Sequence, residues 1–381
     1  MTLVRGHIVT EEGILENGTV RIDAGRIVEV SASSAGAGAV DVDLQGGWVV
    51  PGFIDLHCHG GFGGDFMDAT IESYETITGF HGRHGTTTML ATTVTATKPD
   101  IDAVLQATAA YRDAASSRGA RLLGVHLEGP FISPKWPGAQ NPARIVPPNA
   151  DWLQDWATAY PGLVKQLTLA PETEGAIGLI RELRKLGIIA AAGHTDATYD
   201  QLVDAVDAGL NQAVHTFNAM TPLHHRNPGV VGAVLTDARI VAEVIADGVH
   251  VHPAAVKLLT QTKTAGNLVL ITDAMAAAGL GDGQYSLGGL DVTVRGGVAR
   301  LTHGDSLAGS TLTMIEAFRF VVQRIGLSVP EASRLASANA AKQLGLGNEL
   351  GAIRAGAAAD LVLLTPELDI VRVYRDGVEI G

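Results

Sequence analysis

The sequence predicts an α/β fold: a (β/α)8 barrel of the TIM type, with a small β-sandwich domain built from both chain ends. Three observations carry this. From residue 50, short apolar runs of strand character alternate with amphipathic helical segments, the pattern of a parallel sheet wrapped by helices. About eight such units follow one another, which suits a closed barrel better than an open sheet. Both ends of the chain are instead strand-like, without a helical period.

Residues 1–49 form the N-terminal part of the small domain. "LVRGHIVT", "GTVRIDAGRIVEV" and "AVDVDLQGGWVV" are rich in β-branched residues and broken by glycine, and "SASSAGAGA" (31–39) reads as a plain loop. The barrel occupies 50–345. Its strands are expected within "WVVPGFIDLHCH", "TTTMLATT", "ARLLGVHLEG", "VKQLTLAPE", "GIIAAAGHT", "QAVHTFNAM", "RIVAEVIADG" and "NLVLITDAM". Amphipathic segments such as "AIGLIRELRKLG" and "TYDQLVDAVDAG" supply the helices between them. Residues 283–304 break the pattern and read as a β-hairpin inserted after the eighth strand. Two further helices come next, "TLTMIEAFRFVVQRIG" and "VPEASRLASANAAKQLG". Residues 346–381, with "ADLVLLTPELDIVRVYRDGVEI", complete the small domain. No repeat is evident beyond the βα unit itself.

Composition narrows the function. The chain has 381 residues, 46% hydrophobic and 18% charged, enough for one large core with a satellite. A formal charge of -13 argues against nucleic acid or an anionic membrane as partner. An anionic small molecule would need a local cluster of basic groups. The start "MTLVRGHIVTEEG" has no signal-peptide pattern, and no apolar run is long enough to span a bilayer. The single cysteine excludes an internal disulfide and fits a cytoplasmic location.

In a barrel of this kind, chemistry sits at the C-terminal ends of the strands. Those ends carry His57 and His59, Glu128, His194, His215 and Asp273. Side chains alternate along a strand, so His57 and His59 point together into the barrel mouth, while Cys58 between them points toward the helices. Imidazole and carboxylate suit a divalent cation such as zinc or iron, and a carboxylate can bridge two. Such a cation supplies hydroxide near neutral pH, and an aspartate at the same rim can move the proton.

Several residues have a plainer reading beside the chemical one. Asp55 either supports a neighbouring loop or orients a ligand histidine. Cys58 reads as a packed free thiol. His126 faces inward, and lining the pocket or filling a barrel layer stay equally open. His7, His81, His84 and His303 read as solvated or structural. The glycine-rich "GGFGGD" lacks the Gly-Lys-Ser/Thr ending of a phosphate loop and the spacing of a dinucleotide turn, so it reads as a tight turn. A second cluster, "HTFNAMTPLHHRNPGVVG", holds Asn218, His224, His225 and Arg226, and arginine's planar fork suits a phosphate. After the seventh strand, "IADGVHVHP" adds His250 and His252.

Taken together, "PGFIDLHCHG", "HLEGPFIS", "AGHT", "HTFNAM", "IADGVH" and "ITDAM" resemble the amidohydrolase superfamily, and within it the N-acetylglucosamine-6-phosphate deacetylase family. The resemblance covers nearly the whole chain. It implies hydrolysis of the acetamide of a phosphorylated N-acetyl amino sugar, in amino-sugar catabolism and cell-wall sugar recycling. It implies Glu128, His194 and His215 as ligands of a main divalent metal and His57 and His59 as ligands of a second. That makes one or two ions per subunit, with zinc first and iron, cobalt or manganese as alternatives. Asp273 would be the general base and then acid. Asn218, Ala219 and Arg226 would hold the sugar phosphate, with His250 contributed across the interface of a homodimer. One position departs from the family. Gln140 stands where a histidine usually helps polarise the acetamide carbonyl, and a glutamine amide can donate a hydrogen bond but carries no charge. The alternatives are another amidohydrolase, such as an N-acetylgalactosamine-6-phosphate deacetylase or a cyclic amidase, and a catalytically weakened metal-binding homologue.

Overall fold

The computed structural model describes residues 2–32, 40–114, 118–263 and 266–380. The loop expected at 31–39 lies mostly outside them. Eight strands form the parallel barrel sheet: Phe53–Asp55, Thr86–Thr93, Arg121–Glu128, Val164–Leu169, Ile189–Ala192, Gln212–Ala213, Val241–Ile245 and Leu268–Ile271. They pair in sequence order, as the alternating strand and helix pattern requires. The sheet closes where the Asp273 N–H donates to the His57 carbonyl at 2.8 Å and Cys58 bridges Ala274. Every strand expected from the sequence is present, but the sixth has only Gln212–Ala213. The chain leaves the sheet there into a turn with positive φ at His215 (28°), Phe217 (82°) and Ala219 (49°).

Local chemistry sets the helices around the barrel. In Ala176–Lys185 the buried residues are Ala176, Leu179, Ile180 and Leu183, the three-and-four spacing of one helical face. Burying each of the larger side chains contributes about 1.5–3 kcal/mol, and Leu183→Ala would cost about 2–5 kcal/mol. Tyr199–Ala208 starts from a capping box in which Thr198 and Gln201 satisfy each other's backbone N–H. These helices pack on the outside of the strands in one continuous apolar cluster.

The two chain ends meet in one seven-stranded sheet. Its strands are Thr2–Thr10, Gly13–Asp23, Arg26–Ser31 and Val42–Pro51 from one end and Leu361–Leu364, Ile370–Arg375 and Val378–Glu379 from the other. The two contributions join where Val42–Pro51 runs antiparallel to Leu361–Leu364, with Val49 opposite Leu363. The sheet has its own apolar cluster, including Val4, Ile8, Val20, Val49 and Leu363. Val42–Pro51 then leads directly into the first barrel strand, so this sheet anchors the segment that carries His57 and His59.

The insertion after the eighth strand has three strands rather than the two of a hairpin: Gly283–Leu287, Leu290–Arg295 and Val298–Leu301. Two glycine pairs make both turns. Gly288 and Gly289 (φ 58° and 78°) and Gly296 and Gly297 (φ 57° and 75°) adopt the left-handed conformation that two-residue hairpin turns need. The second pair adds the third strand. No helix among the described residues is long and apolar enough to cross a membrane.

Candidate metal centre and active site

Glu128 is the hub of the site. It ends the third barrel strand and is 1% exposed. Its Oε1 lies 3.3 Å from His57 Nε2, 3.3 Å from His194 Nε2 and 3.0 Å from His215 Nε2. Its Oε2 lies 3.2 Å from His59 Nε2. Asp273, just past the eighth strand, faces the same centre with Oδ1 3.2 Å from His59 Nε2 and 3.6 Å from His57 Nε2. The strand ends named by the sequence thus converge on one point. Backbone strain accompanies this: His194, His215 and Asp273 have φ of 47°, 28° and 50°. A left-handed non-glycine residue costs about 1–3 kcal/mol and persists only where its surroundings hold it.

The donors fit a divalent cation. Three of the imidazoles are oriented from behind. His59 Nδ1 is 3.2 Å from the Thr92 carbonyl, His194 Nδ1 is 2.9 Å from the Trp136 carbonyl and His57 Nδ1 is 3.0 Å from Glu243. A carbonyl oxygen only accepts, so each Nδ1 facing one carries its hydrogen, and a neutral ring then presents a lone pair at Nε2. Those lone pairs face carboxylate oxygens, and the Nε2 atoms of His194 and His215 lie 3.2 Å apart. Acceptors gathered in this way repel one another unless positive charge sits among them. Ligands about 2.1 Å from a tetrahedral zinc stand ~3.4 Å apart, close to the separations seen here. Two overlapping triads meet the spacing, Glu128 with His194 and His215, and Glu128 with His57 and His59, each with its ligand atoms within 4.8 Å of one another.

Proton affinities show the same need for positive charge. Burial works against a charged His57, yet Glu128 and Asp273 hold its pKa well above the ordinary value. Burial likewise opposes charge on His59, but Asp273 and Glu128 push it up to about 9. Burial would raise the Glu128 carboxyl, and the neighbouring His57, His194 and His215 instead hold it well below the carboxylate range. For Asp273 the same contest between burial and the nearby His57 and His59 ends below the ordinary value.

A third group, Asp55, Cys58 and His81, also lies within 4.8 Å, but its donors are already spent. Asp55 accepts from the His57 and Thr272 N–H groups and from the Thr272 hydroxyl, so it supports the loop and touches no imidazole. His81 Nε2 is 3.0 Å from the Gly60 carbonyl and Cys58 Sγ packs beside it at 3.3 Å. Cys58 is a fully buried thiol pointing away from the centre. The glycine-rich stretch folds as a tiny antiparallel pair, Gly60–Gly61 with Gly64–Asp65. A Cβ on Gly60 would meet the Gly64 carbonyl at 2.2 Å, which explains glycine beside His59. His126 fills a barrel layer: its ring lies edge-on to His57 at 4.6 Å, and its Nε2 bonds the Thr168 hydroxyl at 2.8 Å.

Above the centre opens a cavity of about 550 Å³. Its walls include His59, Glu128, His194, His215 and Asp273, together with Gln140, Asn218, Ala219 and His250. The loop after the third strand adds Lys135 and Trp136, and the three-stranded insertion adds Arg300. His250 lines the cavity of its own chain, held by Asp247 at 2.6 Å. Two expectations change here. Arg226 is not among the cavity walls. Its guanidinium is exposed and lies 2.7 Å from His225, because the 221–228 loop runs outward. Gln140, expected to reach a substrate carbonyl, has both ends engaged. Its Nε2 donates to Glu128 Oε2 at 2.6 Å and its Oε1 accepts the Thr95 N–H at 2.7 Å.

Sequence reasoning missed Lys135, Trp136, Arg300 and Glu243. The first three sit on loops and an insertion whose course no periodicity reveals. Glu243 did leave a signal, a lone carboxylate in the apolar run "VAEVI".

A closed parallel barrel with this histidine and carboxylate centre defines a class, and comparison agrees: the Amidohydrolase family profile matches residues 48–380, and the chain belongs to that family. Its relatives are more particular. The chain is 42% identical over 369 residues to the N-acetylglucosamine-6-phosphate deacetylase of Bacillus subtilis, covering 96% of this chain and 93% of that one. It is 39% identical to the N-acetylgalactosamine-6-phosphate deacetylase of Escherichia coli O157:H7, covering 97% and 96%. Among solved structures, a point mutant of N-acetyl-D-glucosamine-6-phosphate deacetylase from Mycobacterium smegmatis, in complex with N-acetyl-D-glucosamine-6-phosphate, superposes with a TM-score of 0.95. Its identity is 40%, with 100% of this chain and 99% of that chain covered.

Proposed function

We propose that this chain hydrolyses the acetamide of N-acetyl-D-glucosamine 6-phosphate to D-glucosamine 6-phosphate and acetate. The observation that carries the reading is the convergence of Glu128, His194, His215, His57 and His59 on a centre faced by Asp273, beneath a 550 Å³ cavity. The near full-length similarity to deacetylases of phosphorylated acetamido sugars supplies the substrate class.

A divalent cation, with zinc the first choice, would be held by Glu128, His194 and His215, with His57 and His59 able to hold a second, and would polarise the acetamide carbonyl and supply hydroxide near neutral pH. The chain's own groups do the rest. Asp273 Oδ1 faces the centre and accepts the proton released when water adds to the carbonyl carbon. The same carboxyl then delivers that proton to the sugar nitrogen as the C–N bond breaks, so the amine leaves neutral. Asn218 and Ala219, held by the turn in which the Asn218 N–H bonds the His215 carbonyl at 2.9 Å, and His250 position the sugar in the cavity. Lys135 and Arg300 line the cavity wall, ion-paired with Asp196 at 2.6 Å and Asp305 at 3.1 Å, and would turn their N–H donors to the phosphate. The same reading includes a homodimer in which His250 is contributed across the interface, and sedimentation of the purified protein tests whether the chain dimerises. A cytoplasmic setting suits the buried thiol.

A second reading has a specific basis in the N-acetylgalactosamine-6-phosphate deacetylase relative. Acetate release from N-acetylglucosamine 6-phosphate, its galactosamine epimer and the unphosphorylated sugars separates the two. The proposal expects the highest kcat/KM on the phosphorylated gluco substrate. Preference for the galacto epimer moves the assignment to the second reading, and no turnover of any acetamido sugar overturns both.

A further inference from the structure

Glu243 is a fully buried carboxylate beside the centre that the mechanism above leaves unused and that, unlike Asp55, meets a ligand imidazole directly. It projects inward from the middle of the seventh barrel strand, Val241–Ile245, and is 0% exposed. An isolated carboxylate at such depth costs several kcal/mol, so its partners reveal its purpose. Oε2 lies 3.0 Å from His57 Nδ1. Oε1 accepts from Gln166 Nε2 at 2.8 Å and also from Gln212 Nε2. Gln212 in turn donates to Gln166 Oε1 at 2.7 Å. Both glutamines are themselves fully buried, on the fourth and sixth strands. Neutral amides thus satisfy one oxygen, and His57 is the ionisable partner of the other.

The contrast with the other imidazoles gives this meaning. His59 and His194 are oriented by neutral carbonyls. His57 is instead backed by a carboxylate, and its Nε2 reaches the centre 3.3 Å from Glu128 without a hydrogen-bond partner of its own. An anion behind Nδ1 keeps the hydrogen there, fixes the ring, and raises the electron density that Nε2 offers to a cation. The amides of Gln166 and Gln212 hold that anion in place. Fold stability does not call for this arrangement, since an apolar residue would suit the strand better.

We propose that Glu243 is a positioning residue for the second cation site. Acting through His57, and fixed by Gln166 and Gln212, it makes the His57 and His59 pair able to bind an ion, and it leaves the Glu128, His194 and His215 site untouched. The inference rests on the proposed two-site reading of the metal centre.

Calorimetric titration of the metal-stripped full chain with zinc tests it, with no substrate present. Wild type should show two sites. Glu243→Gln should weaken one of them about 10–100-fold and leave the other within about twofold. His57→Asn supplies a second line of attack. It should weaken the same site, and Glu243→Gln added to His57→Asn should cost little more, because the group through which Glu243 acts is gone. Unchanged affinities in Glu243→Gln overturn the inference, as does equal weakening of both sites or full additivity with His57→Asn. A wild-type chain that binds no zinc overturns instead the metal reading beneath it.

Discussion

Gln140 offers a prediction whose size comes from its contacts. In Gln140→Met the side chain keeps its length and loses both polar ends. The Thr95 N–H, on a residue 1% exposed, is left without the acceptor now 2.7 Å away. An unsatisfied buried donor costs about 1–3 kcal/mol. Glu128 loses a charge-assisted hydrogen bond of 2.6 Å, worth about 1.5–3 kcal/mol. The variant should therefore be about 2.5–6 kcal/mol less stable. The assay is urea unfolding of metal-stripped protein, read as a lower midpoint at unchanged slope. Because Glu128 also loses the donor that fixes its Oε2, kcat should fall while KM for the sugar phosphate stays within a few-fold. Loss of less than about 1 kcal/mol, or an effect confined to KM, refutes the anchoring role and returns Gln140 to the substrate.

Three further outcomes are expected. Gly193→Ala would place a Cβ 2.2 Å from Val214 Cγ2 and 2.8 Å from Thr168 Cγ2, immediately before His194. Overpacking of this kind costs about 1–3 kcal/mol, and the displaced His194 should lower metal affinity, measured by competition with a chelator. Burial lowers the His81 pKa from 6.5 to about 4, so the unfolded chain binds the extra proton between those values. Stability from this residue is complete above pH 6.5 and lost as pH falls toward 4, about 3 kcal/mol in all, and His81→Gln should flatten the wild-type loss between about pH 7 and 5 by about 2 kcal/mol. Arg300→Ala should raise KM for the phosphorylated sugar about tenfold with kcat little changed, and should leave the unphosphorylated sugar unaffected. Equal effects on both substrates would remove Arg300 from the phosphate.

The barrel was legible because its strands are short apolar runs whose period differs from that of the helices beside them. The centre was legible because His57, His59, Glu128, His194, His215 and Asp273 all lie at or just past the ends of such runs, and the C-terminal edge of a barrel gathers those positions. Orientation within the centre was not. Whether His126 meets the cavity or the layer beneath depends on Thr168 and His57, which approach it from other strands. Gln140 turned toward Glu128 because its loop folds back to the Thr95 N–H, a contact 45 residues away. The third strand of the insertion comes from Gly296 and Gly297, a second turn signal beside the one at Gly288 and Gly289. Arg226 looked like the phosphate partner because it is a cation near the motif, but the 221–228 loop carries it outward. Arg300 gave no sign, since its place beside the cavity depends on how the insertion folds back over the barrel mouth.

The central claim is that Asp273 moves the proton at a centre built by the other strand ends. Asp273→Asn keeps the shape of the side chain and removes its basicity. Acetate release from N-acetylglucosamine 6-phosphate should fall at least about 10²-fold, with zinc content equal to that of wild type in the same preparation. Full activity at equal metal content would contradict the account.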